Sequence, residues 1–271
     1  QGVSSAASDV YKRQVPTISG TLTVCTGATT TLTGSVAGGV WTSTNTAVAT
    51  IGSSNGAVAG LTPGTTTISY VLPTGCYITA VLTVYLTPAA ITGTMSVCVG
   101  SCTALADASA GGAWSSANPA IATVDASGNV CGVSAGNVNI TYTMPGGCYA
   151  VTTVTVNALP PAITGTLAVC TGSTTTLADV TTGGTWTSSN VAIATVGSSN
   201  GVVTGVVAGT AIITYTLPTT CYTTVVVTVS TAPGPITGTL VVCAGQTTAL
   251  GNSVGGGNWS SSNTGVATIG S

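Results

Sequence analysis

Along most of this chain, apolar residues alternate with Thr, Ser and Ala in short runs that close at Gly, Pro or Asn. Period-two alternation bounded by turn formers predicts strands, not helices. The first full set can be read directly. Strand A is "TLTV", with Leu22 and Val24 on one face, and strand B is "TTTLTGSV" around Leu32. Gly38 and Gly39 turn the chain into C, "VWTST", which carries Trp41. D is "AVATI", and "GSSNG" turns it into E, "AVAGL". "TPGT" leads to F, "TTISY", where Ile68 and Tyr70 share a face. "LPTG" leads to G, "CYITAVLTV", where Leu82 and Val84 point inward.

The set recurs. "ISGTLTVCTG" at Ile18 returns as "ITGTMSVCVG" at Ile91, "ITGTLAVCTG" at Ile163 and "ITGTLVVCAG" at Ile236, at offsets of 73, 72 and 73. Trp41, Trp114, Trp186 and Trp259 keep the same offsets. A fixed period with aligned turns means tandem copies of one unit, and this period suits a small domain. Residues 15–88, 89–160 and 161–233 form three repeats, and 234–271 about half of a fourth. Seven short strands with a Trp on the third predict an all-β chain of immunoglobulin-like β-sandwiches joined by short linkers. Those linkers, "LTPAA", "ALPPA" and "TAPGP", carry proline, which restricts hinge motion.

Residues 1–14, "QGVSSAASDVYKRQ", differ in composition from the rest. "SSAASDVYKRQ" resembles the translated read-through of a sequencing adapter, so this stretch is set aside from fold reasoning. The alternative is a genuine flexible segment. On the adapter reading the sequence is a fragment at both ends, and any signal peptide lies outside it.

The stretch "TTTLTGSVAGGVWTSTNTAVATIGSSNGAVAGLTPGTTTISY" resembles the bacterial immunoglobulin-like group 2 domain. That family's core reads W-[ST]-S-x-N-x-x-[VI]-A-T, followed by G-x-[VA]-x-G-[VL]-x-x-G-x-x-x-I. "WSSANPAIATV" at Trp114 and "WTSSNVAIATV" at Trp186 match it as well. The chain departs from the common pattern in its regular cysteines and near-absence of charge. Both features are similar to tandem modules in large secreted surface proteins of Bacteroidetes-type bacteria. The resemblance implies surface display, adhesion or spacing, and no shared catalytic activity.

Charge narrows the function classes. Only 2% of residues are charged, and the chain has no His, no Glu and no Phe. Lys12 and Arg13 are the only cations. A basic footprint for nucleic acid or anionic lipid is therefore lacking. The apolar runs fall short of the roughly 20 residues a membrane helix needs. The usual acid–base residues are missing, and Ser has no partner base, so the expectation is no enzyme, no metal and no cofactor. Asp107, Asp125 and Asp179 are the acids beyond residue 14. "VDASGN" at Val124 reads as a turn more readily than as a calcium loop. The four Trp have a sugar-stacking reading and a strand-C core reading, and their common position favours core. The outward Thr rows read as solvated surface, glycosylation sites or a flat binding face, with solvated surface favoured.

Nine cysteines carry the most information. Cys25, Cys98, Cys170 and Cys243 form an A-strand set, and Cys76, Cys148 and Cys221 a G-strand set. Cys102 and Cys131 occur in repeat two alone. Without zinc-type spacing or an activating base, they read as disulfides of an oxidising compartment. Pairing within a repeat gives Cys25–Cys76, Cys98–Cys148 and Cys170–Cys221. Strand reversal opposes this, because it puts the end of A and the start of G at opposite poles, on the order of 20 Å apart. A disulfide needs Cα atoms within about 7 Å. The trailing pole of one repeat meets the leading pole of the next, which favours Cys25–Cys148 and Cys98–Cys221. Cys76, Cys170 and Cys243 are then unpaired here, or pair with segments beyond this sequence. Cys102 and Cys131 lie on neighbouring strands B and E and are expected to pair on the surface.

The sequence thus reads as a structural segment of a secreted or cell-surface bacterial protein, a disulfide-stapled rod or fibre. Its partners are neighbouring repeats or other copies, with no nucleic acid and no membrane insertion. An adhesin or carbohydrate-binding array is the rival, but the loop tips "VAGG", "SSNG" and "PTG" are small and nearly alike between repeats. A third reading makes the repeats the stalk of an enzyme lying outside this sequence.

Overall fold

A computed structural model describes residues 17–270, so the adapter-like stretch 1–14 lies outside the described residues. The chain divides into two compact units, residues 1–157 and 158–271. Every element among the described residues is a strand.

The first unit contains two sandwiches. In repeat one the strands are β1 (Ile18–Ser19), β2 (Thr23–Cys25), β3 (Thr29–Thr31), β4 (Thr33–Gly34), β5 (Val40–Ser43), β6 (Ala49–Ile51), β7 (Ala57–Gly60), β8 (Gly64–Val71) and β9 (Tyr77–Tyr85). One layer is the four-stranded sheet β2-β9-β8-β5, and the other combines β3-β7-β6 with the pair β1-β4. Repeat two has β10 (Thr92–Gly93), β11 (Ser96–Cys98), β12 (Cys102–Ala106), β13 (Ala113–Ser116), β14 (Ala122–Val124), β15 (Asn129–Gly132), β16 (Gly136–Thr143) and β17 (Tyr149–Asn157). Its layers are β11-β17-β16-β13 and β10-β12-β15-β14.

The second unit repeats this plan with β18 (Thr164–Gly165), β19 (Ala168–Cys170), β20 (Thr174–Ala178), β21 (Thr185–Ser188), β22 (Ala194–Val196), β23 (Val202–Gly205), β24 (Gly209–Thr216) and β25 (Tyr222–Ser230). Its layers are β19-β25-β24-β21 and β18-β20-β23-β22. The short pair β26 (Thr237–Gly238) and β27 (Leu250–Gly251) follows. The chain is thus a tandem array of immunoglobulin-like sandwiches.

Strand A, expected as one run, is two. β1 pairs antiparallel with β4 in one layer, and β2 pairs parallel with β9 in the other. The switch happens at Gly20, whose φ is +116°. A Cβ there would fall 2.5 Å from the Thr31 carbonyl oxygen. Only glycine accepts both the backbone and the close approach, which explains why "GT" follows the β-branched start of every repeat.

Each sandwich buries its own core. In repeat one Leu32, Ile68, Leu82 and Val84 are among the most enclosed. Repeat two uses Leu105, Ile140, Val154 and Val156, and repeat three Leu177, Ile213, Val227 and Val229. Trp41 and Trp186 are 4% and 6% exposed, whereas Trp114 is half-buried against its core. Trp259 departs from expectation. It is half-buried and belongs to no strand, because residues 234–270 supply no equivalent of β8 for it to pair with.

Candidate functional site

The candidate site lies where the two sandwiches of the first unit meet. It begins with the parallel register of β2 on β9, which sets Cys25 opposite Tyr85. Beyond Cys25 the chain turns tightly. Ala28 N–H donates to Cys25 O (3.0 Å), Gly27 N–H to Gly60 O (2.9 Å) and Thr26 N–H to Tyr85 O (2.9 Å). Thr26 also holds the start of the linker. Its hydroxyl accepts from Thr87 N–H at 2.9 Å, and its carbonyl accepts from Thr87 Oγ1 at 2.7 Å. The strand end and the linker are therefore one hydrogen-bonded piece.

Repeat two meets that piece with the turn "MPGGC". Met144 N–H donates to Cys148 O (2.7 Å) and Gly147 N–H to Met144 O (3.0 Å). Gly146, with φ +98°, lies on the Tyr85 ring, and a Cβ there would come within 2.3 Å of it. Cys25 and Cys148 are joined in a disulfide with Cα atoms 5.8 Å apart, across 123 residues of sequence. Cys148 is 1% exposed and Cys25 half-buried. A recess lined by Thr26, Ala28, Thr87, Gly147 and Tyr149 opens beside the bond. None of its walls is charged, so it offers no purchase for an ionic ligand.

The within-repeat pairs are not formed. β2 lies beside the far end of β9, so Cys25 and Cys76 are separated by the nine residues from Cys76 to Tyr85, about 30 Å of strand. Cys98–Cys148 is likewise absent, since Cys148 bonds to Cys25, and Cys170–Cys221 is absent because Cys170 is a free thiol. Cys98 and Cys221 are each disulfide-bonded. Cys76, Cys170 and Cys243 are free and exposed. Cys102 and Cys131 face each other in the β12–β15 register and form a disulfide with a Cα separation of 4.0 Å.

The remaining candidate residues serve the fold. Trp41, Trp114 and Trp186 stack on Tyr70, Tyr142 and Tyr215 at ring separations of 4.4, 4.7 and 4.6 Å. The Tyr70 hydroxyl accepts from Gly39 N–H (2.9 Å) and donates to Val36 O (2.7 Å). Tyr142 and Tyr215 repeat the arrangement with Gly112 and Ser109, and with Gly184 and Thr181. Sequence reading missed this clamp; its signal was the pairing of each strand-F Tyr with a Gly-Gly turn some 31 residues earlier. The Asn of the W-[ST]-S-x-N core closes a turn: Asn45, Asn118 and Asn190 each accept from the N–H two residues on, at 3.1 Å.

The acids also make turns. Asp125 Oδ1 accepts from Ser127 N–H (2.8 Å) and Asn129 N–H (3.0 Å). Asp107 and Asp179 hold Ser109 N–H and Thr181 N–H, each at 2.7 Å, while their Oδ2 atoms are buried without a partner. Among the described residues no three His, Cys, Asp or Glu gather into a group suited to a metal ion. Among the described residues no helix is long and apolar enough to cross a membrane, which says nothing of a β-barrel.

The family profile of the bacterial Ig-like domain (group 2) matches residues 80–147. Among solved structures, surface layer protein SbsC, domains 1–6, is similar at 17% identity and a TM-score of 0.26. That match covers 83% of this chain and 42% of the surface layer chain, so this chain spans under half of it. A C-terminal 282-residue fragment of intimin, solved with the intimin-binding domain of the translocated intimin receptor, is similar at 22% identity and a TM-score of 0.37. It is matched over 66% of its length by 55% of this chain. No curated protein matches the chain.

Proposed function

We propose that this chain is a run of bacterial immunoglobulin-like group 2 repeats, at 15–88, 89–160, 161–233 and 234–271, serving as a structural segment of a secreted or cell-surface protein. Its work is mechanical: neighbouring sandwiches are stapled so that the segment acts as a rod or fibre. The observation that carries this reading is the Cys25–Cys148 disulfide between one repeat and the next. A bond inside a sandwich would stabilise only that sandwich, whereas a bond between sandwiches fixes their joint. The same rule extends to Cys98 and Cys221, which we pair across the second joint. Disulfides of this kind persist in oxidising compartments, which supports an extracellular location. The cation-free repeats offer trypsin-like proteases no cleavage site, which suits an exposed segment.

The test is a peptide map of unreduced protein secreted through an oxidising compartment. Recovery of Cys25 joined to Cys148 and of Cys98 joined to Cys221 supports the stapled joint. Recovery of Cys25 joined to Cys76 sinks it. The same protein on a glycan array should stay at background; saturable binding would replace the spacer role with that of an adhesin.

A further inference from the structure

The linkers between repeats are fastened differently, and the difference lies in residue types. At the first joint the linker is tied to both neighbours. Thr87 N–H donates to the Thr26 hydroxyl and Thr87 Oγ1 to Thr26 O, which hold it to repeat one. Two residues on, Ala89 N–H donates to Ser109 Oγ (3.0 Å), which holds it to repeat two. The Tyr85 ring on Gly146 adds a contact that crosses the joint. The linker after repeat three is tied in the same two places. Ala232 N–H donates to the Thr171 hydroxyl (3.1 Å), and Asn252 Nδ2 donates to Gly234 O.

The second joint lacks the groups that make these ties. Its strand-end motif is "VCVG", against "VCTG" in repeats one and three, so Val99 stands in the place of Thr26 and Thr171. Leu159 stands in the place of Thr87, and Pro161 in the place of Ala89. Val99 has no side-chain oxygen to accept the linker N–H, Leu159 has no hydroxyl to donate back, and Pro161 has no N–H. Asn157 takes the place of Tyr85 opposite the strand-end cysteine. Its side chain is engaged within its own repeat, where Nδ2 donates to Ser96 Oγ (2.7 Å). Pro160 and Pro161 fix their own φ but fasten the linker to neither sandwich. The boundary between the two compact units falls at this joint, after Asn157.

We propose that the second joint is a hinge latched by its disulfide alone. When Cys98–Cys221 opens, repeat three swings on residues 158–162, while repeats one and two move as one body even with Cys25–Cys148 open. The proposal rests on the stapled-joint reading above, which supplies the Cys98–Cys221 pair. Opening takes two molecules of a low-molecular-weight thiol such as glutathione. One glutathione thiolate attacks the sulfur of Cys98, the half-buried partner, since Cys221 is fully buried. A mixed disulfide forms, and the Cys221 thiolate leaves and takes up a proton. A second glutathione thiolate attacks the glutathione sulfur and releases Cys98 in the same way. The two cysteines gain two electrons and two protons, and two glutathione molecules become one glutathione disulfide. A thiol-rich medium thus loosens one joint and leaves the other fixed.

The experiment reads each joint by single-molecule energy transfer in the full chain, its free thiols alkylated and its dyes carried on p-acetylphenylalanine. One dye pair replaces Thr42 and Ser115, the other Ser115 and Thr187, which are exposed third-strand positions of the three repeats. Reduction with glutathione should at least double the width of the 115–187 distance distribution and leave that of 42–115 unchanged. Cys98→Ser with Cys221→Ser should do the same without reductant, whereas Cys25→Ser with Cys148→Ser should alter neither width. On the Cys98→Ser, Cys221→Ser background, Val99→Thr with Leu159→Thr should narrow 115–187 again. Three results overturn the proposal: a second joint that stays narrow once its disulfide is gone, a first joint that widens as much when its own is removed, or a 115–187 width indifferent to the two threonines. If a variant fails to fold, the unaltered chain under glutathione still carries the test. A peptide map of the unreduced chain separates the readings. Absence of Cys98–Cys221 sinks the staple at this joint, while its presence with unchanged widths on reduction sinks this inference alone.

Discussion

A chain pulled from its two ends should be much shorter oxidised than reduced. With Cys25 and Cys148 joined, tension crosses the sulfur bridge, and the intervening backbone carries none of it. The bridge spans 123 residues of sequence with Cα atoms only 5.8 Å apart. At roughly 3.3–3.6 Å per extended residue, about 400–440 Å of contour is held back. The Cys102–Cys131 bond lies inside this loop and changes nothing, while a bond leaving the loop, such as Cys98–Cys221, only raises the gain on reduction. The assay is single-molecule stretching in optical tweezers, with the ends attached through peptide tags and a phosphine as reductant. Full extension should grow by at least about 400 Å when the phosphine is added. Equal extensions before and after would refute the reasoning, because then no covalent shortcut exists between the repeats.

Replacing Cys102 and Cys131 by Ala frees a loop of 29 residues of sequence, for which loop-closure entropy gives about 3–4 kcal/mol. Calorimetry should show the transition of repeat two falling by more than about 10 °C, with repeat three unmoved. Tyr215→Phe strands Gly184 N–H and Thr181 O, and should cost about 1–3 kcal/mol in denaturant unfolding, with the Trp186 fluorescence reporting the midpoint. Gly56→Ala meets both a φ of +66° and a Cβ position 2.1 Å from Leu32 O, so a loss above about 2 kcal/mol is expected for repeat one. Asn190→Ala removes the acceptor of Ala192 N–H, and a milder loss near 1 kcal/mol should appear in the same unfolding curve.

What could be read in advance was what repeats or alternates. Leu22 and Val24 against Cys25, or Ile68 with Tyr70, show their faces by parity alone, because a strand side chain has two directions to choose from. The sandwich followed from the turns and the periodic Trp. The break in strand A was hidden because "SGT" reads as an ordinary interruption; only the Thr31 carbonyl beside Gly20 shows why the chain must change layers there. The tyrosine clamps were hidden because a hydroxyl and the Gly-Gly amide it holds lie some 31 residues apart. At the joint, the strand order of a sandwich pointed toward Cys148. The contact that shapes the joint, Tyr85 on Gly146, had no local pattern at all. It joins residues of different repeats, and its two halves vary from repeat to repeat as Tyr85, Asn157 and Ser230 on one side and Thr74, Gly146 and Thr219 on the other.

The span of the Cys25–Cys148 bond also bears on damage. A backbone cut anywhere between those residues, in either sandwich or in the linker, leaves both fragments on one molecule, since the sulfur bridge bypasses the break. Scission there would be silent in any measurement of intact mass under oxidising conditions, apart from one added water. The peptide bond ceases to be the only thread holding the two repeats together, and the segment becomes redundant in the engineer's sense: failure requires a cut and a reduction at once.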